Sequence, residues 1–306
     1  MPGLLRNLKG ENKMNKPMIG INGLVGTKPD KLEESIKKII EFGFDCMEFC
    51  LSSVPLIAEG EILEKYAAYV QDIFSRYPLK YTAHIGTGLD LRNLQDYNLH
   101  KKVLMSSIEL CARLGMDRLT LHFENESLIQ KEEQAFYDAH IEAIDFAASK
   151  GVLLLMENIE VEDYRKVIAM VGCINHENFK MTLDVGHLNL SVNYFGGDFK
   201  DAVRECAPYV KHVHMNDNTG RFEKMRLGNF ALYKTLPMGM RTAFGAGDIH
   251  LPPLWGKIPM KWVVETLHNE GFDGIFICEY ENDLYVPFGR QIQEDMRDMV
   301  NEIYNK

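Results

Sequence analysis

Six apolar runs each end on side chains that can bind a metal or carry a proton. They are YTAHIG with His84, RLTLHFE with His122, VLLLMENIE with Glu157, KMTLDVGH with Asp184 and His187, VKHVHMND with His214, and GIFICEYE with Glu279. A weaker run, FDCMEFC, adds Glu48. One such ending is ordinary, but the same placement on run after run means that the elements carrying them converge on one polar point. Glu157, Asp184, His214 and Glu279 together offer three carboxylates and one imidazole. That set suits one divalent ion (Mn, Co, Mg or Zn) and leaves positions open for a substrate. Each carboxylate closes a run too apolar to need a charge, where burial without a partner is costly. Any one alone can be an ion pair or a helix cap; the four together read as a metal site.

The remaining polar ends are less specific. In DVGH the glycine permits a tight turn, so Asp184 and His187 face one cavity, and His187 can bind metal or polarise a substrate oxygen. His212 and His214 alternate along one run and share a face. His214, nearer the end, is the expected ligand, and His212 the expected hydrogen-bonded core residue. His84 and His122 admit two readings. With Glu157 as a bridge they can hold a second metal, as in hydrolases that activate water between two ions. Beside a single metal they would bind substrate hydroxyls or phosphate instead, which is the preferred reading. His100, His140, His176 and His268 fall in helical or loop stretches and are expected mostly at the surface.

The elements that must position these groups alternate regularly. Strands are expected at Met18–Asn22, Cys46–Cys50, Lys80–His84, Arg118–His122, Val152–Glu157, Lys180–Asp184, Val210–His214 and Gly274–Glu279, with amphipathic helical stretches between them. DKLEESIKKII opens with a capping-box arrangement, Asp30 followed by Glu33, and Gly43 closes it. Eight such units in about 290 residues suit a single-domain α/β (β/α)8 TIM barrel better than an open sheet, because every polar group sits at a strand C-terminus. Residues 18–306 form the expected catalytic barrel after an N-terminal extension, 1–17. The polar ends step by 38, 35, 27 and 30 residues from His84 to His214, then by 65 to Glu279. The excess places an insertion at 215–258, rich in Gly, Pro, Met and aromatics, expected as a lid or substrate platform ahead of a helix starting near Pro259.

With 46% hydrophobic and 25% charged residues, the 306-residue chain can fill a globular core. Its formal net charge of −10 repels phosphate backbones, and no dense Lys/Arg cluster offsets that, so nucleic acid is not an expected partner. The six cysteines form no CxxC pair, and several lie in apolar runs, which fits a reduced, cytoplasmic location. No run is long enough for a membrane span, and the first residues lack the apolar core of a signal peptide.

The order H…H…ENxE…DxGH…HxHxxD…E resembles the xylose isomerase-like barrel superfamily, which includes sugar isomerases and epimerases, dehydroshikimate dehydratases and endonuclease IV. The resemblance covers nearly the whole chain. Similarity to its ketose 3-epimerase branch implies Glu157, Asp184, His214 and Glu279 as metal ligands and His187 as a substrate-binding histidine. Arg221 then stands for a substrate-contacting arginine, one residue further from His214 than that branch implies. Similarity to endonuclease IV implies a second metal on His84, His122 and Glu157, and an Asp-x-His pair for a third. Asp248 and His250 have that spacing but follow the GxG turn they are expected to precede. His250 is therefore grouped with His84, His122, His187 and Arg221 as substrate-binding.

The expected activity is isomerisation or epimerisation of a sugar or sugar phosphate by proton transfer through a metal-stabilised enediolate. Glu157, Glu279 and His187 are the catalytic candidates. A keto-sugar dehydratase or lyase shares the first step, and a multi-zinc phosphoesterase is the other alternative. A small-molecule carbohydrate is the expected partner, and the Tyr- and Met-containing stretch around Phe230–Met240 offers a contact for a homo-oligomer.

Overall fold

The computed structural model describes residues 16–23 and 29–305; all but the last two residues of the expected N-terminal extension lie outside the described residues. Strands that are covered on both faces need near-continuous apolar sequence, and segments such as LLLME and IFIC supply it. Among the described residues eight barrel strands result: β1 Met18–Asn22, β2 Cys46–Cys50, β3 Lys80–Ile85, β4 Arg118–His122, β5 Leu153–Glu157, β6 Phe179–Asp184, β7 Val210–Met215 and β8 Ile275–Cys278. Each pairs in parallel with the next, and β8 closes on β1. This is the expected (β/α)8 barrel, with strand bounds within one or two residues of the expectation. Glu279 lies one residue beyond β8, on the chain leaving the barrel.

Side-chain alternation stacks the barrel interior in layers. Cys46, Ile275 and Ile277 form a small apolar cluster inside the sheet, apart from the main core. Two residues along β2, β3, β4 and β6 come Glu48, Thr82, Thr120 and Thr182, all buried, with the hydroxyls of Thr120 and Thr182 2.9 Å apart. The next inward positions carry the candidate site. The barrel therefore grows more polar toward the C-terminal ends of its strands, where barrels of this kind place their chemistry.

Helices behave largely as the sequence pattern predicts. Leu32–Phe42 buries Leu32, Ile36 and Ile39 and ends at Gly43, whose φ of 92° suits glycine. The capping box does not form. Asp30 lies within a 3-10 turn, Pro29–Lys31, so it sits inside the helical entry instead of ahead of it. Glu33 accepts the Tyr77 hydroxyl at 2.5 Å instead. His140 is also not a surface residue: it is 2% exposed, with Nδ1 2.7 Å from the Phe136 carbonyl.

The chain after β7 folds back as three short helices, Met225–Gly228, Phe230–Tyr233 and Met238–Phe244. Two isolated bridges pin it, Asp217 with Leu251 and Arg221 with Ala246. The next helix, Met260–Asn269, starts immediately after Pro259. No helix among the described residues is long and apolar enough to cross a membrane.

Candidate active site

Among the described residues five groups of donors gather in the barrel; two involve Glu48, with His212 and His214 or with His84 and Glu279, and three others meet over the C-terminal end. Of these three, one holds His84, His122 and Glu157; the second Glu157, Asp184, His214 and Glu279; the third His187, Asp248 and His250. Within each, one donor atom per residue lies within 4.8 Å of the others. Glu157 joins the first two. Its Oε2 is 3.1 Å from His84 Nε2 and 3.4 Å from His122 Nε2, while Oε1 is 3.1 Å from His214 Nδ1 and 3.4 Å from His187 Nδ1. His214 Nδ1 also lies 3.0 Å from Glu279 Oε2 and 3.8 Å from Asp184 Oδ2. A cavity of about 190 Å³ opens above them, walled by His84, His122, His187, Asp248, His250 and Glu279 with Arg226, Phe230, Tyr233 and Arg241.

The electrostatics are those of charges forced together without water. Burial pushes the Glu157 carboxyl up, but His214, His122 and His84 outweigh it and hold it well below the usual range. Glu279 follows the same pattern, burial opposed by His214, and is held down to about 2. Asp184 goes the other way, to about 7, because burial and the charges of Glu279 and Glu157 exceed the pull of His187 and His214. Burial lowers His84, yet Glu157 carries it up to about 9; His122, with less compensation, is left near 4. Glu157 Oε2, Glu279 Oε2 and Asp248 Oδ1 are buried without a hydrogen-bond partner among the described residues. Unpartnered buried carboxylate oxygens are costly. Oxygens and imidazole nitrogens facing one point fit a divalent cation, which would supply the missing partner.

The structure also shows what holds Asp184. It caps the helix Val185–Phe195, with Oδ1 accepting from the His187 backbone N–H at 2.6 Å. Asn216 donates to Oδ2 at 2.7 Å, and Asn158 brackets the Asp184 backbone with bonds of 2.9 and 3.0 Å. These two asparagines escaped sequence reading, although both lie inside the polar motifs, at ENIE and HMND. Gly186 is small for a different reason than turn geometry. A Cβ there would stand 1.7 Å from Asn216 Oδ1, so the glycine lets Asn216 reach Asp184. Gly186→Ala is expected to destabilise the fold by about 1–3 kcal/mol and to weaken metal binding about tenfold. Thermal unfolding and metal titration check this; unchanged values in both would remove the assigned role.

Two placements differ from expectation. Asp248 and His250 do come together with His187, despite following the GAG sequence. His187 Nε2 is 3.4 Å from Asp248 Oδ2, which is 2.8 Å from His250 Nε2. The two bridges that fold the post-β7 loop back bracket this pair and bring it over the barrel. Arg221 is exposed and outside the cavity wall; its Nη1 donates to the Phe244 carbonyl at 3.3 Å, and its own carbonyl accepts from Gly247 at 2.7 Å. Arg226 and Arg241 face the cavity instead. Arg226 Nε donates to Glu160 Oε1 at 2.6 Å, and Arg241 donates to the Tyr233 hydroxyl and the Asp248 carbonyl. His212 is a core residue as expected, bonded to Glu48 at 2.9 Å.

A closed parallel barrel with acid–base side chains gathered at its C-terminal mouth defines the class. The chain belongs to the xylose isomerase-like TIM barrel family, whose match spans residues 36–302. An uncharacterised protein of Methanocaldococcus jannaschii is 23% identical over 309 residues, covering 92% of this chain and 90% of the relative. Among solved structures, a D-tagatose 3-epimerase-like protein superposes with a TM-score of 0.65 at 20% identity, covering 93% of this chain and 98% of that one. A xylose isomerase-like TIM barrel protein from Mycobacterium smegmatis, in complex with magnesium, gives 0.68 at 15% identity, covering 94% and 97%. The 3-keto-D-glucoside 4-epimerase of E. coli gives 0.65 at 15% identity, covering 92% and 100%. At these identities the likeness is one of fold.

Proposed function

We propose that this protein is a divalent-metal-dependent isomerase or epimerase acting on a sugar or sugar derivative by proton transfer beside a carbonyl. The observation that carries this reading is the convergence of Glu157 and Glu279 on one atom of His214, both within 3.1 Å of its Nδ1, beneath a cavity of sugar size. Glu157, Asp184, His214 and Glu279 would hold the ion. When bound it would supply Lewis-acid stabilisation of negative charge on the substrate oxygens. Glu279 lines the cavity and is the carboxylate best placed to take a proton from substrate. Glu157, from β5, would return one, and His187, also on the cavity wall, would hold a substrate oxygen. Arg226 and Arg241 add cationic donors for hydroxyls or phosphate. The epimerase activities of the structural relatives point the same way.

Glu279→Gln tests the assignment directly. It keeps the volume and an oxygen donor, so metal is expected to remain, while exchange of the substrate α-proton with solvent falls on the order of 10²–10⁴-fold. Full turnover with metal bound would end the two-carboxylate mechanism.

One observation favours a second reading. The His187–Asp248–His250 group, with the other two, supplies donors for as many as three ions, the arrangement of a multi-metal phosphoesterase. Elemental analysis of protein purified without chelator separates the two. About one ion per chain supports the isomerase; two or three Zn per chain, with hydrolysis of a phosphoester, supports the phosphoesterase.

A further inference from the structure

Beneath the donor groups lies a carboxylate that the proposed chemistry does not use. Glu48, on β2, is 2% exposed, and two histidines from β7 converge on it. Its Oε2 is 2.9 Å from His212 Nε2, and its Oε1 is 2.9 Å from His214 Nε2. His84 Nδ1 approaches the same Oε1 at 3.9 Å. Oε1 and His214 Nε2 are close without being aligned as a hydrogen bond, and neither has another partner. The opposite nitrogen of the His214 ring, Nδ1, is the one that faces Glu157, Asp184 and Glu279.

We propose that Glu48 is a positioning residue that sets the metal-facing nitrogen of His214: it accepts from His212 Nε2–H, and the charge on its Oε1, 2.9 Å from His214 Nε2, holds the ring proton of His214 on that nitrogen. This rests on the metal-site reading above. An ionised carboxylate has acceptors and no donor, so both rings must present N–H to it. His214 is thereby left with its Nδ1 lone pair aimed at the donor cluster. Outer carboxylates that fix a ligand histidine in this manner raise its basicity and orient its ring. The single side chain also spans both groups, since His84 belongs to one and His214 to the other. A glutamine at this position has one acceptor oxygen and an NH₂ group. It can accept from one of the two histidines, not both; the other ring would have to turn its lone pair to the amide NH₂.

That asymmetry gives the test. Zn²⁺ affinity is measured at pH 8 by competition with a chromophoric chelator, with far-UV circular dichroism and Tm as folding controls. Glu48→Gln is expected to weaken binding ten- to a hundredfold. His212→Leu is expected to lower Tm while leaving affinity within about threefold. The double variant is expected to recover most of the affinity lost in Glu48→Gln, because the amide oxygen then serves His214 alone. A role in packing or in bulk charge would produce no such recovery. Wild-type affinity in Glu48→Gln, or a double variant as weak as Glu48→Gln, overturns the proposal. If Glu48→Gln does not fold, Glu48→Asp moves the acceptors one methylene away and is expected to weaken binding about tenfold; undiminished affinity there is equally fatal. Wild-type protein that takes up no Zn²⁺ would overturn both this proposal and the metal-site reading, whereas failure confined to the variants overturns this proposal alone.

Discussion

Glu157→Gln is expected to cost both turnover and bound metal, where Glu279→Gln costs turnover alone. Glu157 is fully buried at the end of β5, and its two oxygens are divided among His84, His122, His187 and His214. It is the one residue common to the first two donor groups. Glutamine matches its volume, so the change isolates the charge. Four imidazoles that now share one carboxylate would face a neutral amide, and breaking a buried ion pair costs roughly 3–5 kcal/mol. Turnover is expected to fall on the order of 10²–10⁴-fold, as for loss of a proton-transfer group, with metal content falling alongside it. His122→Asn is the control, since it touches only the first group. If Glu157→Gln kept wild-type metal content and turnover, the shared-ligand assignment would be wrong.

The second large effect is on pH dependence with and without metal. In the ion-free protein the His84 imidazole is carried to about 9 and that of His250 to about 10. Burial opposes both rises; Glu157 drives the first and Asp248 the second. A group whose pKa is raised on folding adds stability below its unfolded value and loses it as pH climbs through the folded value. Between pH 7 and 10 the ion-free protein is therefore expected to lose stability, with His84 alone contributing on the order of 3 kcal/mol. Cations also bind to deprotonated nitrogen, so metal affinity is expected to rise over the same interval, with proton release on loading. Tm followed from pH 7 to 10 with chelator and with excess Zn²⁺ checks both. The chelated protein should decline more steeply than the loaded protein, because an ion on Glu157 would replace the charge that raises His84; parallel curves would show that no ion engages Glu157.

How much of this was legible in the sequence depends on the distance over which each signal acts. The eight strands and the polar residues at their ends are local patterns, four to six apolar residues followed by a charge. A closed parallel barrel leaves those ends only one place to meet. Glu48 was recognised only weakly because FDCMEFC has a short apolar run, and the partner that explains its burial, His212, lies 164 residues away. Asn158 and Asn216 are not singled out by sequence, since their importance comes from contacts with Asp184 across neighbouring strand ends. The capping box at Asp30 and the surface placement of His140 were local inferences overridden by tertiary packing.

The sequence by itself determined the fold class, the order of the strands and the identity of most acid–base groups, because periodicity and strand-end chemistry are written residue by residue. Only the tertiary structure decided how the post-β7 loop returns. Two backbone bridges, Asp217 to Leu251 and Arg221 to Ala246, turn it back so that Asp248 and His250 reach His187 while the Arg221 side chain points away. Spacing along a chain bounds where a loop can go. Which of its side chains faces the cavity is set by backbone hydrogen bonds that exist only once the barrel beneath it has closed.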